Sequence, residues 1–546
     1  DNASVGPLFK RGQSPCYECL AQRVARNRAI ESYLLARGVT PKRLAPGTER
    51  DLLALRRVMQ RARRLLAHQD DAAGSTLYTW DAGTWRRHEV VRRPQCPSCG
   101  DAALCARSVR RSWRVQRDTL GAPIASRADL VDPVTGVVTE LNPYPVPALP
   151  ALHVCIAATG STRGRQRLAD VLRDLRHQTS GRGATADDAV ASALGEAVER
   201  YSGVWQGDEP HVRATLDSLG AAAIHPDRVL HFSHAQQRAR LRHNRRAAPS
   251  ARVTAPFSSS TPIDWTPVWS LMREEERWLP SSLLYYGHPE SVRPGYCYAD
   301  SNGCAAGPTR DAALASGLLE LIERDAIAMW WYNRVKRPPV DIAAAGDPWC
   351  AAMVDAFRAT QREVWALDLT NDLSVPTLAA VSRRLTGESE AILLGFGAHP
   401  DPRVALRRAL GELGQMFAAT ATFGQADSII EPDVQAWLTH ASVHRHPYLR
   451  PAACAPRSLA AASLMTGSVP ETAHLIDMLR EHDFDVLVLD QTRPDIEVPV
   501  VRVVVPGLRH FWPRLGPGRL YDVPVRLGWL ARARSEAELN PTAFFL

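Results

Sequence analysis

Lysine is almost missing from this chain: Lys10, Lys42 and Lys336 are the three lysines among 66 basic residues, and every other one is arginine. The formal net charge of +8, set against an alanine-rich background, therefore reads as compositional bias, and nucleic acid is not an expected partner. Basic runs do occur at 107–117 and 238–246, and these leave a weak surface for a polyanion or an acidic peptide open. Long apolar runs are missing too. No run reaches the roughly 18 residues a spanning helix needs, so no membrane segment is expected. The opening DNASVGPLFK has neither the apolar core of a signal peptide nor an initiator Met, so a cytoplasmic location is expected and the true N-terminus is left open. A disulfide framework is also lacking: outside two CxxC pairs, Cys105, Cys155, Cys297, Cys304, Cys350 and Cys454 are scattered, as free thiols of a reducing compartment are.

What is present suits a globular α+β protein. With 546 residues, 45% hydrophobic and 23% charged, the chain can support two to four domains with cores of their own. Cys16 and Cys19 form CYEC, and Cys96 and Cys99 form CPSC. Two such knuckles can make one tetrahedral thiolate site, closed and therefore structural. A redox CxxC is the rival reading, but no thioredoxin-like βαβ pattern separates the pairs. Between them run two helical patterns, near 20–37 and 48–68, and a hairpin-like LYTWDAGTWRRHEV. The arginine-rich 105–117 reads as a linker.

The chain is organised around a repeat. GATADDAVASALGEAVER at 183–200 recurs as GPTRDAALASGLLELIER at 307–324. Gly, Thr, Ala, Ser, Glu, Glu and Arg fall in register, which pairs Ser192 with Ser316, Glu196 with Glu320, Glu199 with Glu323 and Arg200 with Arg324. Each copy predicts a helix capped by its threonine, Thr185 or Thr309. Serine and the two glutamates lie at i, i+4 and i+7 on one face, with the arginine one step round. A third, degenerate copy at 401–415 has Asp401 at the cap, Arg408 for serine, Glu412 for the first glutamate and Gln415 for the second. One isolated ExxER is readily a solvated face; three related copies argue for more.

If the first two helices face each other, four carboxylates converge and must be offset by something cationic. Mg²⁺, completed by water and nucleotide phosphates, answers this need. The arginines and the glycine-rich SGRG (180–183) and SNGCAAG (301–307) would hold the phosphates. The predicted centre is an ATP site with Ser180, Arg182, Asn302 and Gly303 among its contacts. Cys304 has the simpler reading of a small buried side chain. His399, His440, His444 and His446 have no metal-like spacing and suit surface or capping roles. A second repeat, a strand, D-x-T and a further strand opened by Val-Pro, occurs at 363–381 and 484–505 and points to α+β layering.

The repeats and the VVVPGLRHF run resemble the YcaO family of ATP-dependent peptide-backbone-modifying enzymes over nearly everything after about residue 117. The region 1–116, with VGPLFKRGQSPCYECL and CPSCG, is similar to the zinc-binding end of the ThiF-like domain fused to YcaO in azoline-forming cyclodehydratases. The resemblance implies two domains, 1–116 and 117–546. It also implies ATP-dependent cyclodehydration of Cys, Ser or Thr in a ribosomal precursor peptide to thiazoline or oxazoline. Carried over by position, Glu196, Glu199, Glu320 and Glu323 match Mg²⁺–phosphate carboxylates, and Ser192, Arg200, Arg324 and Gln415 match nucleotide contacts. Arg182 stands where the family often has Lys, a change either cation can serve with different geometry.

The expected cofactors are ATP, Mg²⁺ and a structural Zn²⁺. The resemblance further implies a homodimer, and allows a flavin dehydrogenase and a separate leader-binding protein as partners, since the ThiF-like region begins in mid-domain. YcaO-type thioamide or amidine formation and an inactive peptide-presenting scaffold are the alternatives. The tail ELNPTAFFL ends on Phe544, Phe545 and Leu546, too apolar to float free. It either packs as core or reaches the catalytic centre, with Leu546 as the expected catalytic terminus.

Overall fold

The computed structural model describes residues 3–39, 49–67, 74–81, 83–101, 103–112, 122–160, 178–421, 430–459 and 471–545. Leu546 and the expected boundary at 116/117 lie outside them. Helices and antiparallel sheets alternate along the chain, as the α+β expectation requires. Among the described residues, no helix is long and apolar enough to cross a membrane.

The N-terminal unit holds the helices Tyr17–Asn27, Ala29–Leu35 and Glu49–Ala67. Its sheet places the hairpin Thr76–Asp81 and Thr84–Glu89 beside Ala3–Val5. The segment read as a linker is in part a helix, Ala103–Ser112. Its Cys105 and Val109, one turn apart, are buried, and that amphipathic spacing outweighs the arginine content on which the linker reading rested.

Three strand–helix units form the body of the larger part. Strand Gln178–Gly183 leads into helix Ala186–Ser202, strand Cys304–Ala306 into helix Arg310–Asn333, and strand Leu393–Ala398 into helix Pro402–Ala419. The caps are those expected. Thr185 accepts the Asp188 N–H in a capping box, Thr309 accepts the Ala312 N–H, and Asp401 accepts the Arg403 N–H. The SGRG and SNGCAAG stretches are built on strands rather than on open loops. The first is strand, paired along its length with His153–Thr159, and the second contains strand Cys304–Ala306, paired with Val500–Val504. Their small residues serve close approach: a Cβ on Gly181 would lie 2.0 Å from the Ala193 nitrogen, and one on Gly395 would lie 2.2 Å from that of Leu413. Each helix is thereby pressed against its own strand.

The second repeat of the sequence is a pair of antiparallel ladders, Arg362–Asp368 with Thr377–Arg384 and Leu487–Asp490 with Val500–Val504. The largest core cluster lies around Trp330, Trp331, Phe396 and Tyr448. Phe544 is wholly buried in it, with its ring centroid 4.9 Å from that of Trp331 and 4.7 Å from that of Phe511. The Trp331 indole donates to the Thr542 carbonyl at 2.8 Å. Phe544 is therefore core packing, and Phe544→Ala is expected to lower unfolding free energy by about 3–5 kcal/mol, read from the denaturation midpoint.

Candidate functional site

The acidic faces of the three helices converge, and Glu196, Glu320 and Glu412 are each anchored by a hydrogen bond. On the first helix Glu196 accepts from Arg200 at 3.3 Å, and Arg200 also donates to the Tyr286 hydroxyl at 2.9 Å. Ser192 lies exposed at the outer end of the same face. On the second helix Glu320 accepts the Gly303 N–H at 3.1 Å and Arg324 at 3.2 Å. Arg324 stands 3.7 Å from Glu323 and stacks 4.1 Å over the Phe511 ring. The Gly303 N–H, expected on a phosphate, is thus engaged with a carboxylate, because the tight turn into strand Cys304–Ala306 aims it at the helix.

The third helix contributes mainly position. Glu412 accepts the Phe396 N–H at 2.7 Å, and Arg408 donates to the Ala398 carbonyl at 2.9 Å. Gln415 donates to the Ser180 carbonyl at 2.8 Å and accepts from Arg182. Ser180 and Arg182 of one strand and the distant Gln415 form one cluster.

Burial and like charge decide the electrostatics. Burial lifts the Glu199 carboxyl well above its ordinary value; Arg200 opposes the shift, and Glu320 and Glu196 add to it. Burial likewise pushes Glu323 up to about 7 against the pull of Arg324, with Glu412 and Glu320 raising it further. Glu320 therefore lies within reach of both, and the carboxylates are short of positive charge. Beside them is a cavity lined by Asp300, Asn302, Leu321, Arg502, His510 and Arg514. Asn302 Oδ1, Arg502 Nε and Arg514 Nη1 are buried there without a protein partner. Two orphaned guanidinium donors and one orphaned amide oxygen next to under-neutralised carboxylates are what a site for an anion with its divalent cation needs, so these residues fit Mg²⁺ and a nucleotide phosphate.

Arg502 and Asp300 were not singled out from the sequence. Arg502 Nη2 lies 3.1 Å from Asp300 Oδ1. Burial works to raise the Asp300 carboxyl, but His510, Arg502 and Arg514 outweigh it and hold it below the carboxylate range. A usable signal existed: one arginine inside the apolar strand Val500–Val504 is a buried charge in need of a partner. Tyr286, in an isolated bridge to Val204, carries no such signal.

At the N-terminal end the four knuckle sulfurs meet. Cys16 and Cys96 are 3.4 Å apart, Cys19 and Cys99 are 3.4 Å apart, and all four lie within 4.8 Å of one another. Tetrahedral bonds of about 2.3 Å would set sulfurs about 3.8 Å apart, so the donor set fits zinc. The Arg93 N–H points at Cys19 Sγ at 3.4 Å.

This unit is joined to the first acidic helix by buried ion pairs. Arg23 donates to Asp495 at 2.6 Å, and the Tyr201 hydroxyl, next to Arg200, donates to the same carboxylate at 2.7 Å. Arg493, 2% exposed, holds Asp208 at 2.7 Å and Glu209 at 3.2 Å. Nothing in the local sequence marks Arg493 among so many arginines.

A family model described as YcaO cyclodehydratase, ATP- and Mg²⁺-binding, matches residues 180–509. A solved heterocyclase in complex with substrate and cofactor is 35% identical, with a TM-score of 0.89 over 99% of this chain and 76% of its own. The heterocyclase TruD is 34% identical, with a TM-score of 0.77 over 100% of this chain and 74% of its own. An uncharacterized protein of Methanothermobacter thermautotrophicus is 29% identical over 340 residues, 61% of this chain and 82% of that protein.

The raised Glu323 carboxyl gives a pH test. Its folded pKa of about 7 exceeds the ordinary 4.5, so between those values the native state holds more protons than the unfolded one and stability falls as pH rises. In magnesium-free buffer the loss expected from this group between pH 4.5 and 7 is about 3 kcal/mol. Urea midpoints against pH should flatten by that amount in Glu323→Gln.

Proposed function

The chain belongs to the YcaO family, and we propose that it is a peptide cyclodehydratase that closes Cys, Ser or Thr side chains onto the preceding backbone carbonyl, giving thiazoline or oxazoline. The observation that carries this reading is the convergence of Glu199, Glu320 and Glu323 with Arg200 and Arg324 beside the orphaned polar atoms of the Asn302–Arg502–Arg514 cavity. The likeness to two heterocyclases over almost the whole chain supports it.

The chemical need is a leaving group. Attack of the side-chain sulfur or oxygen on the amide carbon leaves an oxygen that does not depart readily, and ATP supplies the phosphoryl group that lets it leave as phosphate. This chain's part is to bind and orient. Glu199, Glu320 and Glu323, with Glu196 at the rim, would hold Mg²⁺. Arg200 and Arg324, each already fixed by a glutamate and by Tyr286 or Phe511, would stabilise charge spread over the transferring group without reorganising. Arg182, held by Gln415, with Ser180 and Ser192, would take the remaining nucleotide contacts. The packed tail reaches this centre through one ring: Phe544 rests on Phe511, and Phe511 carries Arg324. The four-cysteine cluster would hold a structural Zn²⁺ that keeps the first helix and the second knuckle in place.

Two measurements test this. Glu199→Gln and Glu323→Gln keep side-chain shape and remove charge, so each is expected to lower peptide-dependent ATP turnover about a hundredfold or more with the fold intact. Mass spectrometry of a precursor peptide treated with the wild type should show loss of one water per ring; exchange of oxygen for sulfur would mean thioamide formation instead. Metal analysis is expected to find one zinc per chain, and Cys96→Ser to destabilise the N-terminal unit. Folded protein free of zinc would remove the structural-metal reading.

A further inference from the structure

Between Asp227 and Asp264 the chain carries no acidic residue. In the middle of this stretch the helix His234–Asn244 and the two residues after it expose Arg238, Arg242, Arg245 and Arg246, with Arg240 half-buried. Arg238, Leu241, Arg242 and Arg245 fall at i, i+3, i+4 and i+7 and so share one face. Leu241, at its centre, is 69% exposed. None of the five guanidinium groups has an ion pair or hydrogen bond among the described residues. Exposed arginines elsewhere do find acids: Arg107 meets Asp101 at 2.6 Å, Arg358 meets Asp355 at 2.6 Å, and Arg532 meets Glu538 at 2.7 Å. Like charges one turn apart destabilise a helix, yet this one keeps them unneutralised.

Uncharged groups hold it in place instead. Ser233 and Gln236 form a capping box, and the Ser233 hydroxyl donates to Glu536 at 2.9 Å. Gln236 donates to the Pro513 carbonyl at 2.9 Å and accepts the Leu515 N–H at 3.0 Å. At the far end Asn244 bonds Val253 in both directions, at 2.8 and 3.0 Å. No arginine is used, so the stripe is preorganised and outward. The 510–515 segment on which the helix rests also carries Phe511 under Arg324, and supplies His510 and Arg514 to the cavity.

We propose that the stripe Arg238–Leu241–Arg242–Arg245 docks an acidic stretch of the peptide substrate, which rests on the peptide-cyclodehydratase reading. Guanidinium forks pair bidentately with carboxylates, and Leu241 covers an apolar residue set among them. The helix carries no Phe, Tyr or Trp on which a base could stack, only the imidazoles of His234 and His243, which disfavours single-stranded nucleic acid.

The test uses the full chain and two synthetic peptides that share a cysteine-containing segment, one preceded by a glutamate-rich stretch and the other by its glutamine counterpart. Fluorescence anisotropy should show the acidic peptide binding at least about tenfold more tightly at low salt, an advantage that shrinks as salt rises. The triple variant Arg238→Gln, Arg242→Gln, Arg245→Gln should remove that difference. It should raise KM for the acidic peptide about tenfold and leave kcat, the KM for ATP, the KM for the neutral peptide and the melting temperature unchanged. The corresponding arginine-to-glutamate triple should bind a lysine-rich counterpart better than wild type does. Equal affinity of wild type for the two peptides, an unaffected triple variant, or binding of a single-stranded oligonucleotide but not of the acidic peptide would each overturn the proposal. Peptide held at the stripe without loss of water would count against the cyclodehydratase reading and leave the docking surface standing.

Discussion

Like charge held close in a dry place is the constraint around which this molecule is built. Two glutamates from each of two helices and one from a third are brought to a common centre, where an unscreened pair a few ångströms apart costs about 2–4 kcal/mol at the effective dielectric of a partly buried site. Burial is the first cause of the raised Glu199 and Glu323 carboxyls, and the neighbouring glutamates add to it. The repulsion is tolerable because each helix is pressed onto its strand at glycine, and because each glutamate or its arginine is tied to a fixed partner such as the Gly303 or Phe396 N–H or the Tyr286 hydroxyl. Rigidity here keeps the repulsion from being relieved by movement, which leaves a bound cation as the means that would relieve it.

Much of this was legible because it is local. Helix caps, faces and repeats are properties of neighbouring residues, and Thr185, Thr309 and Asp401 all stand where the pattern puts them. The two CxxC knuckles also meet as their spacing suggests. The sequence was less telling where one residue type serves two physical ends. The glycine of SGRG also lets its strand approach a helix, and that role is set by the distant partner, Ala193. Arginine in 105–117 suggested solvent, whereas the buried Cys105 and Val109 decide for a helix.

The residues that escaped notice altogether are those whose meaning is set by a distant partner. Arg502 depends on Asp300, and Arg493 depends on Asp208 and Glu209. In a chain with so few lysines an arginine is the default cation, so identity alone cannot separate a buried structural guanidinium from a surface one.

The ion pair between Arg23 of the N-terminal unit and Asp495, which the first acidic helix also meets through Tyr201, restricts how the protein can be recombined. Arg23 and Asp495, with Tyr201 on the same carboxylate, come from three separate stretches and are buried together. Exchanging the first hundred residues for those of a relative that lacks the matching arginine would strand Asp495 inside the seam, a defect of about 3–5 kcal/mol. Crossover points in this architecture are therefore set by charge bookkeeping across the seam rather than by the linker, and viable chimaeras must carry both halves of the pair.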